Sequence, residues 1–109
     1  MYEVSSFYAL TPLPPEQIES LLTRLQDWPL GDPPLRGLVL LAPDGLNATI
    51  AGSEQTVAQL EDWLRGLFPL SRCKRSRCQD APFRRWKVVT RRETIASGRI
   101  AEETASIQT

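Results

Sequence analysis

Apolar and polar positions change period several times along the chain, and the changes mark out its elements. Residues 4–10 are rich in β-branched and aromatic types and predict a first strand. Pro12, Pro14 and Pro15 then end any ladder, and a helix follows. Thr11 or a neighbour precedes that helix, proline is tolerated in its first turn, and Glu16 suits its positive end. Ile18, Leu21, Leu22, Leu25 and Trp28 recur at helical spacing, so this helix buries one face. After the Pro/Gly-rich loop 29–34, the apolar run 35–42 predicts a second strand. It ends at Pro43-Asp44-Gly45, where Asp-Gly between two apolar runs is a strong hairpin signal that would place Asp44 and Gly45 at the turn. Residues 46–51 are the partner strand, with Asn47 and Thr49 on one face and Leu46, Ala48 and Ile50 on the other. Ser53 fits an N-cap, and Val57, Leu60, Leu64 and Leu67 form a second helical stripe with Trp63 at its margin. Trp28, Trp63 and Phe68 are expected in the core. Residues 70–79 read as extended, and so do residues 83–90.

Strand, helix, strand, hairpin, strand, helix, strand is the βαββαβ order of an α+β, ferredoxin-like sandwich. It predicts an antiparallel four-stranded sheet with two helices on one face, plus a C-terminal extension. The expected domain is residues 1–98, with 99–109 as a tail or linker. The extension is the only segment left over to cover the second face of the sheet. At 109 residues and 41% hydrophobic composition the chain supports one core and not two.

Composition narrows the chemistry. No run approaches the roughly 20 apolar residues of a membrane span, and no signal or transit peptide is evident, so a cytoplasmic location without membrane contact is expected. The chain has no histidine, which removes Ser-His-Asp and Cys-His catalysis and histidine-ligated metals. Cys73 and Cys78 are too few for a zinc site, and their odd separation puts them on opposite faces of one strand. The flanking arginines favour a thiolate at Cys73, against the plainer reading of two isolated cysteines. No metal and no cofactor are expected.

The formal net charge of zero hides a segregation. Residues 1–71 carry nine acids and three bases, whereas residues 72–92 carry nine bases against Asp80 alone. Arg72, Lys74, Arg75, Arg77, Arg84, Arg85 and Lys87, interleaved with Phe83 and Trp86, have the composition of an RNA-contacting surface: cations for phosphates and an aromatic for base stacking. Protection of an edge strand would account for two or three of these bases, not for the whole excess. Asp44 and Gly45 are explained by turn chemistry. Asn47 is less well explained, because Asn is depleted in strands; it and Tyr8 are candidates for contact with a ligand.

Ser6-Phe7-Tyr8, the hairpin Gly45-Leu46-Asn47-Ala48-Thr49-Ile50-Ala51-Gly52, and Pro82-Phe83 followed by Lys87-Val88 together resemble the rhodanese-related family of tRNA uridine hydroxylases. The resemblance spans residues 4–98. It implies an N-terminal acylphosphatase-like domain of ferredoxin-like fold, and with the basic stretch the expected role of the domain is to dock the tRNA anticodon arm. In that family a rhodanese domain follows, and its catalytic cysteine takes part in oxygen-dependent hydroxylation of a wobble uridine. Neither Cys73 nor Cys78 lies in a C-x-x-G-x-R loop, so that catalytic cysteine is not carried over and the chain alone is expected to be non-catalytic. It reads either as one domain of a longer protein or as a stand-alone relative, with tRNA and a rhodanese domain as the implied partners.

Two other readings follow from the fold. An acylphosphatase would use an arginine and an asparagine on an acyl phosphate, but residues 9–15 lack the arginine and the run of amides of its phosphate loop. A protein-interaction domain would present the basic stretch to an acidic partner surface.

Overall fold

The structure, a computed structural model, describes residues 1–91. Its elements are β1 (Tyr2–Leu10), α1 (Pro15–Gln26), β2 (Arg36–Ala42), β3 (Gly45–Gly52), α2 (Glu54–Arg65), β4 (Ser71–Cys78) and β5 (Trp86–Thr90). The expected tail at 99–109, and Arg92 of the basic stretch, lie outside the described residues.

The four strands of the ferredoxin-like pattern are present, and the sheet has a fifth. Its order is β4-β1-β3-β2-β5, antiparallel throughout except for the parallel pair β2–β5. The expectation of four strands is corrected here. The reason can be read in β2, Arg-Gly-Leu-Val-Leu-Leu-Ala, where all but Arg36 are buried. A strand apolar on both faces belongs inside a sheet, so a further strand must cover its outer edge. β5 does so, pairing Leu38 with Lys87 and Leu40 with Val89.

Both helices pack on one face of the sheet, α1 against β2 and β5 and α2 against β1 and β3. The main core lies between them, built from Phe7, Ala48 and Ile50 of the sheet and Leu21, Leu25, Val57, Leu60 and Leu64 of the helices. Trp28 and Trp63 meet at 5.0 Å between ring centroids, joining the two helical stripes. α2 starts as its sequence predicts, with the Ser53 side chain accepting from the Thr56 amide. Such a cap stabilises by about 1 kcal/mol. α1 has Pro14 in the cap position with no side-chain cap, and Pro15 in its first turn.

The hairpin differs from its expected register. Ala42 pairs with Gly45, so the turn residues are Pro43 and Asp44, and Gly45 is the first residue of β3. Glycine is needed there for another reason. Its φ is +149°, and a Cβ would run into the carbonyl oxygen of Ala9 on β1.

Candidate nucleic-acid interface

The strand order divides the basic stretch, contiguous in sequence, between opposite margins of the sheet. β4 carries Arg72, Lys74, Arg75 and Arg77 on one edge, and β5 carries Trp86 and Lys87 on the other. Four strand spacings separate the two edges, about 19 Å. Arg84 and Arg85 sit between them in sequence, on segment 79–85, which joins β4 to β5. This segment is tied to the start of β2: the Gly37 amide donates to the Arg85 carbonyl at 2.8 Å, and Arg36 Nη1 donates to the Phe83 carbonyl at 3.3 Å.

Alternation along β4 then separates its bases by face. Arg75 lies opposite Ser5, which faces the helices, and its guanidinium grips two carboxylates. It donates through Nε to Glu61 Oε2 at 2.9 Å, through Nη2 to Glu61 Oε1, and through Nη1 to Glu3 Oε2 at 2.7 Å. The fully buried Ser5 hydroxyl also donates to Glu61. Arg77 donates to the other oxygen of Glu3 at 3.3 Å. Burial alone would raise the Glu61 carboxyl, but the hydrogen bonds from Arg75 and Ser5, with the charges of Arg75 and Arg65, outweigh it and hold the group below its ordinary value. The hydrogen bond to Glu61 likewise raises the pKa of Arg75. Two of the candidate phosphate ligands are therefore partnered within the domain.

Trp86 is also engaged on the helix side. It packs against the core, and its indole N–H donates to the Leu25 carbonyl at the end of α1 at 2.8 Å. That hydrogen bond makes it an anchor between β5 and α1. Arg72 belongs to β4 by its backbone. Cys73 and Cys78 are free thiols; Cys73 is exposed and accepts from Arg65 Nη2 at 3.3 Å, and Cys78 pairs with Tyr2.

Lys74, Arg84, Arg85 and Lys87 enter none of the ion pairs among the described residues. Lys74, Arg84 and Arg85 are exposed and Lys87 is half-buried. Lys74 and Lys87 share the face on which neither helix packs. Strand register aligns them in one row across it, Lys74–Ser6–Thr49–Leu38–Lys87. The Ser6 and Thr49 hydroxyls meet at 3.3 Å in the middle of that row. The next row contains Tyr8, Asn47, Leu40 and Val89, so the two candidate ligand residues of the first strand and the hairpin are direct cross-strand neighbours. Pairing between β1 and β3 was beyond the reach of either residue's local sequence. Local sequence does not name Glu61 as the counter-ion of Arg75, but the signal is there: it stands on the Val57–Leu60–Leu64 stripe, where a charge must find a partner.

Among the described residues there is no group of three or more potential metal ligands, and no helix is long and apolar enough to cross a membrane. The segment after β1 offers no cradle of amides for an anion: Pro12 and Pro14 have no N–H, and Leu13 donates its own to Pro43.

Comparison with known proteins adds the family. A tRNA uridine(34) hydroxylase of Synechococcus sp. (strain CC9902) is 37% identical over 103 residues, covering 88% of this chain and 33% of the relative. Another, from Prochlorococcus marinus (strain MIT 9303), is 38% identical over 104 residues, covering 90% and 32%. The chain thus spans about a third of the length of these relatives. Among solved structures, a bacterial light-regulated adenylyl cyclase superimposes with a TM-score of 0.61 at 14% identity, over 99% of this chain and 34% of the other. BlrP1 of Klebsiella pneumoniae gives 0.60 at 17% identity, over 94% and 27%. At such identities the likeness is one of fold. The model of the UPF0176 acylphosphatase like domain matches residues 2–94, nearly the whole of what is described here, and the chain belongs to that family.

Proposed function

We propose that this domain docks tRNA for a uridine hydroxylase and performs no chemistry of its own, the hydroxylation falling to a rhodanese domain that accompanies it. The observation that carries this reading is that four of the candidate cations, Lys74, Arg84, Arg85 and Lys87, enter no ion pair among the described residues, in a chain whose relatives are named tRNA uridine(34) hydroxylases. A solvated edge would not require cations on both edges of the sheet and along the segment between them. A polyanion that crosses the sheet would. The amide-poor segment after β1 favours docking over hydrolysis of acyl phosphates, and an acidic protein surface is the remaining competitor for the same charges.

Replacing Arg84, Arg85 and Lys87 together by alanine is expected to weaken tRNA binding and to flatten its dependence on salt, by roughly one unit of slope for each phosphate contact removed. Arg77→Ala serves as the control, since Arg77 is paired with Glu3. Equal affinity and equal slope in the triple variant would refute the docking role of these residues.

A further inference from the structure

The strand register makes a more specific statement about what the helix-free face can hold. The geometry points to a platform for unpaired ribonucleotides, in which the Tyr8 ring stacks on a base, the Asn47 amide bonds to the edge of that base or its neighbour, and Lys74 holds a phosphate at the β4 edge. This rests on the docking reading above and names the form of RNA that is docked.

Three observations combine. Tyr8 and Asn47 are directly paired on β1 and β3, the two strands flanked on both sides in the β4-side half of the sheet. Cβ atoms of such a pair lie about 5 Å apart, close enough for one base to touch both. Among the described residues neither side chain makes a hydrogen bond or ring contact. Tyr8 is half-buried and Asn47 is exposed, whereas the polar pair in the adjacent row, Ser6 and Thr49, is joined by its own hydroxyl contact. Lastly, a cation is at hand: Lys74 is exposed on β4 and lies on the same face, opposite Ser6 and one row from Tyr8, whereas Leu38 and Leu40 on the β2 side of that face are buried, so the accessible part of the platform is its β4 side.

The same arrangement fits a duplex poorly. An A-form helix offers a protein its phosphates, 2′-hydroxyls and minor-groove edges and keeps its base faces stacked inside, so a tyrosine on a sheet would find no base face to stack on. A splayed loop offers base face, base edge and phosphate together. A stacking ring with an amide directly beside it matches the second.

The test compares a short oligouridylate with an A·U duplex as probes of the isotopically labelled chain, by NMR shift mapping and by fluorescence anisotropy. The single strand is expected to bind more tightly and to shift Tyr8, Asn47, Thr49 and Lys74. Tyr8→Leu should weaken single-strand binding about tenfold, the loss of one stacked base, while Tyr8→Phe retains it. Asn47→Ala should weaken it less. A shift map confined to segment 79–85 or the helices, or unchanged affinity in a folded Tyr8→Leu chain, would overturn the platform. If intact tRNA still bound in that case, the docking role would stand without it. Failure of oligouridylate, duplex and tRNA alike would overturn both.

Discussion

Arg75→Ala is expected to destabilise the domain by about 3 kcal/mol, an effect on folding far larger than any direct effect on RNA affinity. The side chain of Glu61 is only 3% exposed, and in the native chain its charge is satisfied by Arg75 and Ser5. Removing the guanidinium leaves a buried carboxylate with Ser5 and a distant Arg65, at 3.9 Å, as partners. Breaking a buried ion pair by deleting one member costs roughly 3–5 kcal/mol. The lower end applies because Arg75 itself is 32% exposed and part of its interaction is shared with solvent. The same pair sets an acid limb of stability. The Glu61 carboxyl titrates below its ordinary value of 4.5 in the folded chain, so its contribution is present in full above that pH and is lost as pH falls through the depressed value. Urea unfolding as a function of pH checks both statements. Glu61→Gln should flatten the acid limb. An Arg75→Ala chain as stable as its parent at pH 7 would contradict the assignment of Arg75 to the fold.

The second large effect is expected at Gly45. Alanine there must take a φ of +149° and place its Cβ against the Ala9 carbonyl oxygen, which is held in the β1–β3 ladder and cannot give way cheaply. A loss of about 3 kcal/mol or more is expected, from the strained backbone together with the clash. Because Leu10 pairs with Gly45 and Tyr8 with Asn47, any relief by sliding β3 would also disturb the Tyr8–Asn47 pair. Thermal or urea denaturation of Gly45→Ala is the check, and a shift in stability below about 0.5 kcal/mol, the range of an ordinary surface change, would contradict it.

Much of this architecture was legible from local pattern. Ser53 as N-cap, the stripes of Leu21, Leu25, Val57, Leu60 and Leu64, and the alternation of Asn47 with Ala48 all depend on neighbours within one or two turns, and each was found where the sequence placed it. β5 was visible as an extended segment. Its place beside β2 was not, because pairing partners 49 residues apart leave no local trace beyond the two apolar faces of β2. The candidate site was partly legible for the same reason. Composition identified the basic stretch, but strand order splits it, and face alternation sends Arg75 and Arg77 to Glu3 and Glu61. Trp86 looks like a stacking residue in sequence because its acceptor, the Leu25 carbonyl, is 61 positions away.

Contact of Lys74, Arg84, Arg85 and Lys87 with RNA phosphates is checked by titrating fluorescently labelled tRNA with this chain across a salt series. Saturable binding whose logarithmic affinity falls steeply and linearly with the logarithm of salt concentration is the predicted result. No binding even at low salt, or an affinity indifferent to salt, would contradict it and leave the positive margin of the sheet to a protein partner.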